Sequence, residues 1–163
     1  MNEDTGDSVD TSVIIPVYEQ PALLRDALES VFEQTYDGFE VVVVDDNSNA
    51  DIEAVVSKFP DVRMVSHEEN LGAGRARNTG VDAAYGTFLA FLDADDTWEP
   101  TKLEKQRAVF EQGGEDLALV YTGFVQYELD SIEWERYPEA SGDIYVEELE
   151  HDRVHPTSTV IVR

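Results

Sequence analysis

The chain has no cysteine at all, which excludes disulfide staples and thiolate metal sites. Positive charge is almost as scarce: 11 Lys+Arg stand against 36 Asp+Glu, for a formal net charge of −25. Only Lys58, Lys102 and Lys105 are lysines. Such a surface repels polyanions, so bare nucleic acid is a disfavoured partner. Long apolar runs are missing too; none approaches the ~18 residues a membrane-spanning helix needs. The first ten residues are acidic and polar, the opposite of a signal peptide. The location expected from these absences is the cytoplasm, or the inner membrane surface if residues missing downstream carry the chain there.

What is present is a chain of 163 residues, 42% of them hydrophobic, enough for one globular domain with a substantial core. Acid is spread along the whole length, including residues 128–150, and is not gathered in a tail. Spread acid reads as a surface adapted to high salt, where repulsion is screened and hydrated carboxylates keep the protein in solution. The plainer alternative is an ordinary acidic cytosolic protein.

Along the chain, residues 1–11 form a polar arm. Residues 12–18, 39–44, 62–66, 87–92 and 117–121 read as short buried strands, and residues 157–163 as one more. Between them helices are expected over residues 21–34, 52–59, 72–84 and 100–112, opened or closed by Pro21, Pro60, Gly72, Gly86, Pro100 and Gly113-Gly114. Residues 124–146 mix aromatic and acidic side chains and read as strand and loop. Strands alternating with helices of about ten residues imply βαβ units and a mostly parallel central sheet flanked by helices. One α/β domain over residues 12–163 is expected.

Two acidic clusters stand where apolar strands end. Asp45-Asp46-Asn47-Ser48 follows Val41-Val42-Val43-Val44, and Asp93-Ala94-Asp95-Asp96 follows Phe88-Leu89-Ala90-Phe91-Leu92. Ligands of open α/β sheets bind beyond the carboxyl ends of the strands. Carboxylates aimed into that crevice repel one another unless a cation or several donors satisfy them, which suits a divalent metal beside a nucleotide diphosphate. Spacing alone proves little, since acid-x-acid pairs arise by chance roughly eight times in a chain this acidic. The bland readings are a helix N-cap preceding Pro100 for the second cluster and helix capping through Asp46, Asn47 and Ser48 for the first.

A third cluster, Asn70-Leu71-Gly72-Ala73-Gly74-Arg75-Ala76-Arg77-Asn78, half-matches a dinucleotide fingerprint but carries Arg77 where the last glycine belongs. What remains is a glycine-rich helix start with two arginines, suited to an anion such as phosphate; the alternative is surface arginines paired with abundant carboxylates. Tyr18, at the end of the first strand, is placed to stack on a base. His67, His151 and His155 lack metal-like spacing and are expected on loops or at the surface; His155, before Pro156, is a minor site candidate.

Taken as a set, Val13-Ile14-Ile15-Pro16-Val17-Tyr18, Val43-Val44-Asp45-Asp46-Asn47-Ser48, Asn70-Leu71-Gly72 with Ala76-Arg77-Asn78, and Phe91-Leu92-Asp93-Ala94-Asp95-Asp96 resemble the family 2 glycosyltransferases. The resemblance covers about residues 12–125. It implies a GT-A, Rossmann-like nucleotide-sugar domain and inverting transfer of a sugar, from a UDP-sugar foremost, to an acceptor hydroxyl on a glycan, lipid or protein. The donor-binding set it implies is Pro16, Val17, Tyr18, Glu19, Asp45, Asp46, Gly72, Arg75, Arg77, Asn78, Asp93 and Ala94. By the same analogy Pro16 and Tyr18 line the base pocket, Asp46 with Asp45 bonds the base, and Arg75 or Arg77 sits near base or diphosphate. Asp93, Asp95 and Asp96 are the candidate ligands of Mg²⁺ or Mn²⁺. Glu19 departs from the family, which commonly has asparagine there. The family's general base usually follows a strand like residues 158–162, so it is expected beyond Arg163; His151-Asp152 and Glu147-Glu148 are poor substitutes. Two other readings stand beside this one: a nucleotide-sugar-binding module without turnover, and a receiver-like signalling domain. The receiver needs a lysine at a late strand end, whereas Lys58, Lys102 and Lys105 fall in expected helices.

Overall fold

The computed structural model describes residues 9–128, 131–144 and 154–163. A six-stranded sheet runs in the order β3-β2-β1-β4-β8-β5. Its first four members, β3 (Val62–Ser66), β2 (Phe39–Asp45), β1 (Thr11–Val17) and β4 (Phe88–Phe91), are parallel. Every residue of β1 is buried, as expected of a central parallel strand covered on both faces. Its side chains alternate. Val13, Ile15 and Val17 meet Leu24, Ala27, Leu28 and Val31 of α1 (Pro21–Phe32), while Leu103 and Phe110 of α4 (Lys102–Gly113) join the same core. Each fully buried aliphatic side chain here contributes ~1.5–3 kcal/mol.

The opposite face is covered by α3 (Ala73–Ala83), where Ala76 packs on Val42 and Val44. Gly80 lets this helix come close: a Cβ there would run into Cγ2 of Ile14. The chain passes from β1 to β2 and β3 on one side, then crosses through α3 to β4 on the other side of β1. That reversal is a topological switch point, and it opens a crevice beyond the carboxyl ends of β1 and β4.

Several expected boundaries shift. The second helix, expected over residues 52–59, is the single turn α2 (Glu53–Val56). Asp51 caps it by accepting the Ala54 N–H, but the i→i+3 bonds from Lys58 to Val55 and from Phe59 to Val56 tighten the chain before Pro60. The last strand is shorter and reversed. Residues Thr157–Thr159 form a 3₁₀ turn, and only β8 (Val160–Val162) is extended, antiparallel to both β4 and β5 (Leu119–Tyr121). The mixed region contains an antiparallel hairpin, β6 (Phe124–Glu128) and β7 (Ser131–Arg136), which makes a separate two-stranded sheet. Lys102 and Lys105 lie in α4 and Lys58 in the turn after α2, so no lysine occupies the strand end that the receiver reading requires. No helix among the described residues is long and apolar enough to cross a membrane.

Candidate active site

The register of the parallel strands brings the candidate residues together. Val17 lies level with Asp45, and Asp45 with Ser66. The residues that follow each strand, Tyr18, Asp46 and His67, therefore emerge at one edge, next to the turn that begins at Asp93 after β4. The first turn of α3 closes the other wall. The result is an open cleft of about 240 Å³ lined by Pro16, Val17, Tyr18, Gln20, Asp46, Ala73, Ala76, Arg77, Asp93, Ala94 and Asp95.

Asp46 is the organising group on one side. It is 3% exposed. Its Oδ1 accepts the Leu71 N–H at 2.9 Å and a bond from His67 Nδ1 at 2.7 Å, and its Oδ2 accepts the Gly72 N–H at 2.7 Å. Burial works to raise its pKa, but the bonds from Leu71, His67 and Gly72 outweigh that and hold the carboxyl below its ordinary range. Gly72, at φ +85°, supplies the left-handed backbone that aims these N–H groups at Asp46 before α3 begins. His67 is held at its other end too, its Nε2 2.9 Å from Thr79 Oγ1. One carboxylate thus ties the end of β2 to the loop after β3 and to the start of α3.

On the other side stands the acidic turn. Asp93 accepts Arg77 Nη2 at 2.5 Å, while Arg77 Nε is buried without a partner among the described residues. Asp96 accepts the Ser158 hydroxyl at 2.5 Å. Burial raises the Asp96 pKa; the Ser158 bond opposes this, and the negative charges of Asp95 and Asp93 add to the rise. Asp95 is exposed, and its carboxylate makes no hydrogen bond or ion pair among the described residues. The capping reading of this cluster is not what the structure shows: the N-cap of α4 is Thr101.

Of the donor-binding residues expected, Pro16, Val17, Tyr18, Asp46, Arg77, Asp93 and Ala94 line the cleft, and so does Asp95 of the metal set. The others do not. Asp45 turns inward, its Oδ1 accepting the Ser48 N–H at 3.0 Å within the turn after β2. The helix-capping reading of Asp46, Asn47 and Ser48 does not hold, because Asp46 takes the N–H groups of Leu71 and Gly72 and the next helix, α2, begins only at Glu53. Glu19 accepts the N–H groups of Asn49 and Ala50 and the Asn49 side chain, bracing the turn after β2. Gly72 acts through its N–H on Asp46, whereas Arg75 and Asn78 are exposed on α3 and are not among the residues lining the cleft. Asp96 is held behind the turn by Ser158.

His67, expected on a loop or at the surface, follows β3 as a loop residue but is largely buried against Asp46 (side chain 9% exposed). Its place was legible only through the β2–β3 register. His155 lies away from the cleft, beside Arg136 and against the Phe124 ring. His151, Asp152, Glu147 and Glu148 lie outside the described residues. Gln20, Ala73 and Ala76 line the cleft although they stood outside the expected donor-binding set; Gln20 simply follows Tyr18 and Glu19, and the alanines, part of the glycine-rich cluster, are the small residues of the first turns of α3.

Comparison with known proteins agrees with this arrangement. The family model described as glycosyl transferase family 2 matches residues 12–161. The chain belongs to that family. It is 30% identical over 156 residues to an uncharacterized glycosyltransferase of Rickettsia prowazekii, covering 92% of this chain and 49% of the relative. It is 39% identical over 97 residues to the UDP-Glc:α-D-GlcNAc-diphosphoundecaprenol β-1,3-glucosyltransferase of Escherichia coli, covering 58% of this chain and 38% of that protein. The chain thus spans about half the length of the Rickettsia relative, and less of the other. Among solved structures, S. aureus TarS in complex with UDP-GlcNAc superposes with a TM-score of 0.61 at 31% identity, over 63% of this chain and 31% of that one. A mannosyltransferase from Pyrobaculum calidifontis in complex with GDP-Man and Mn²⁺ gives a TM-score of 0.64 at 27% identity, over 71% of this chain and 35% of that one. The α/β architecture is that of these GT-A glycosyltransferases.

Proposed function

We propose that the cleft holds the nucleoside diphosphate of a nucleotide-sugar, a UDP-sugar foremost, and that the sugar passes with inversion to an acceptor hydroxyl on a glycan, lipid or protein. The observation that carries this reading is convergence: Tyr18, Asp46, Arg77, Asp93 and Asp95, from four separate stretches of chain, line one cleft at the switch point. The relatives' nucleotide-sugars support it.

The chemistry of the lining fits such a donor. Tyr18 is 46% exposed at the cleft wall, with a face free to stack on a base. Each carboxylate oxygen accepts about two bonds; with Oδ1 of Asp46 doubly engaged and Oδ2 singly, one acceptor position remains for a base N–H. Arg77, with its unpartnered Nε, is the cation nearest the acidic turn and suits a phosphate or ribose oxygen. At about 240 Å³ the cleft is smaller than the ~300–1,000 Å³ usual for enclosing a ligand, so the sugar would lie outside it, exposed to acceptor.

A divalent metal fits as well, provided the ligand completes its shell. No three His, Asp or Glu side chains among the described residues are grouped closely enough to cage an ion by themselves. Mg²⁺ and Mn²⁺ sites beside phosphates take one or two carboxylates, with water and phosphate oxygens filling the rest. Asp95, unpartnered at the cleft, is the residue to hold it, with Asp93 next to it. When bound, the ion would neutralise charge on the departing diphosphate. The chain's own residues seat the base, orient the diphosphate through Arg77, and keep Asp95 clear of competing partners.

Calorimetric titration with UDP and GDP, in Mn²⁺ and in chelator, tests this. Binding of at least one nucleotide that strengthens tenfold or more with Mn²⁺ is expected. Equal affinity in chelator would remove the metal from the reading, and no binding of either nucleotide would remove the donor site. Binding with no sugar transfer to any acceptor tried would favour the binding-module reading.

A further inference from the structure

Ser158 draws three groups of the acidic turn onto one residue that comes from 60 or more positions further along the chain. Its Oγ accepts the Asp93 N–H at 3.0 Å and donates to Asp96 Oδ2 at 2.5 Å, while its carbonyl accepts Trp98 Nε1 at 2.8 Å. Ser158 is 5% exposed and Trp98 7%. Trp98 is anchored in turn, its N–H donating to Ser30 Oγ of α1 at 3.1 Å. The 3₁₀ turn that presents Ser158 leads straight into β8, which is hydrogen-bonded to β4. The backbone at the start of the acidic turn and the carboxylate at its end are therefore fixed to the same hydroxyl.

This arrangement sorts three carboxylates that would otherwise compete. Asp96 spends one oxygen on Ser158, Asp93 spends one on Arg77, and of the three only Asp95 is left without a partner among the described residues, at the cleft. A hydroxyl has a single proton, so donating it to Asp96 leaves only the Oγ lone pairs for Asp93 N–H, and both bonds set the turn in one shape. We propose that Ser158 is a positioning residue for the metal–diphosphate subsite: it holds Asp96 back and presents Asp95, so that the metal-dependent part of donor affinity depends on a residue that touches neither metal nor nucleotide. This rests on the donor-site reading above.

The test compares UDP affinity, by calorimetry with Mn²⁺ and with chelator, in wild type, Ser158→Ala, Ser158→Thr, Asp96→Asn and Asp95→Asn, with circular dichroism to confirm folding. Ser158→Ala is expected to keep metal-free affinity within about twofold and to lose most of the Mn²⁺-dependent gain, about tenfold; Ser158→Thr, which retains the hydroxyl, should restore it to within about threefold. A merely structural serine would weaken both conditions alike, and a serine with no role would weaken neither; either result overturns the proposal. If Ser158→Ala does not fold, Asp96→Asn decides. It keeps an acceptor for the Ser158 hydroxyl and should preserve the Mn²⁺ gain that Asp95→Asn abolishes, whereas equal loss in both would make Asp96 a ligand and refute the sorting. A wild type whose UDP affinity ignores Mn²⁺ would overturn the metal reading itself, and this proposal with it.

Discussion

Asp46→Ala is the substitution with the most to lose. It strips partners from the backbone N–H groups of Leu71 and Gly72 and from His67 Nδ1. Removing one partner of a buried polar pair costs ~1–3 kcal/mol, and charged partners lie at the upper end. Leu71 and Gly72 are themselves exposed, so water can replace part of what their N–H groups lose; His67 is mostly enclosed. The sum expected is about 3–5 kcal/mol, a large share of the ~5–15 kcal/mol that keeps a domain folded. At ~2–4 °C per kcal/mol for a domain of this size, the melting temperature should fall by about 6–20 °C. Asp46→Asn should cost less, about 1–2 kcal/mol, because only the contact with Gly72 becomes donor against donor.

The pH dependence has a definite sign. The native Asp46 carboxyl titrates below its unfolded value, because the bonds it accepts outweigh the burial that opposes them. Its contribution is therefore present above the unfolded pKa and lost as pH falls through the folded one. Urea unfolding followed by circular dichroism, at pH 7 and in steps down to pH 3, should show the gap between wild type and Asp46→Ala narrowing below about pH 4. A gap under ~1 kcal/mol at pH 7, or one that ignores pH, would show that Asp46 does not anchor the loop after β3 as a charged acceptor.

Three further outcomes follow from other parts of the molecule. Gly80→Ala should cost about 1–3 kcal/mol in urea unfolding, since its Cβ must displace Ile14 or push α3 off the sheet; an unchanged midpoint would show that the α3–β1 contact is looser than drawn. Burial alone lowers the Lys102 pKa to about 7, with Nζ held by Gln106 Oε1 at 2.6 Å and lying 4.0 Å from the centre of the Trp98 ring. The unfolded chain then binds the extra proton between about pH 7 and 10, so native stability should rise over that range and Lys102→Met should flatten the rise; an identical slope would contradict the assignment. With a net charge of −25, we propose that the fold needs high salt; dialysis from molar to millimolar KCl should unfold it by circular dichroism, and equal stability at both would rule that out.

The strands of the parallel half were legible because β1, β2 and β4 carry apolar runs (residues 13–17, 41–44 and 88–91) and β3, though broken by Arg63, keeps Val62, Met64 and Val65 between turn residues. The residues just beyond them, Tyr18, Asp46 and Asp93, could be placed at one edge from topology alone. What sequence could not supply was direction and partner. Hydropathy carries no sign of whether a strand runs up or down, so β8 was readable as a strand but not as an antiparallel one. Thr157-Ser158-Thr159 have β-propensity, yet the Thr159 hydroxyl bonds Pro156 O at 2.8 Å and the segment tightens into a 3₁₀ turn. His67 and Ser158 were missed for one reason: each acts on a residue far off in sequence, Asp46 or Asp96, through a contact that only strand register creates. Asp45 and Glu19 show the converse, polar residues beside the cleft whose side chains brace the turn after β2.

The claim that the nucleotide binds at the switch point is tested most directly by following backbone amide shifts while UDP and Mg²⁺ are added to the isotope-labelled chain in high salt. Shifts are expected at Tyr18 and Gln20, at Asp46, Leu71 and Gly72, and at Arg77 and Asp93 to Asp96, with the β6–β7 hairpin unmoved. Shifts centred on the hairpin or on the amino ends of the strands, with the cleft silent at saturating UDP, would contradict it.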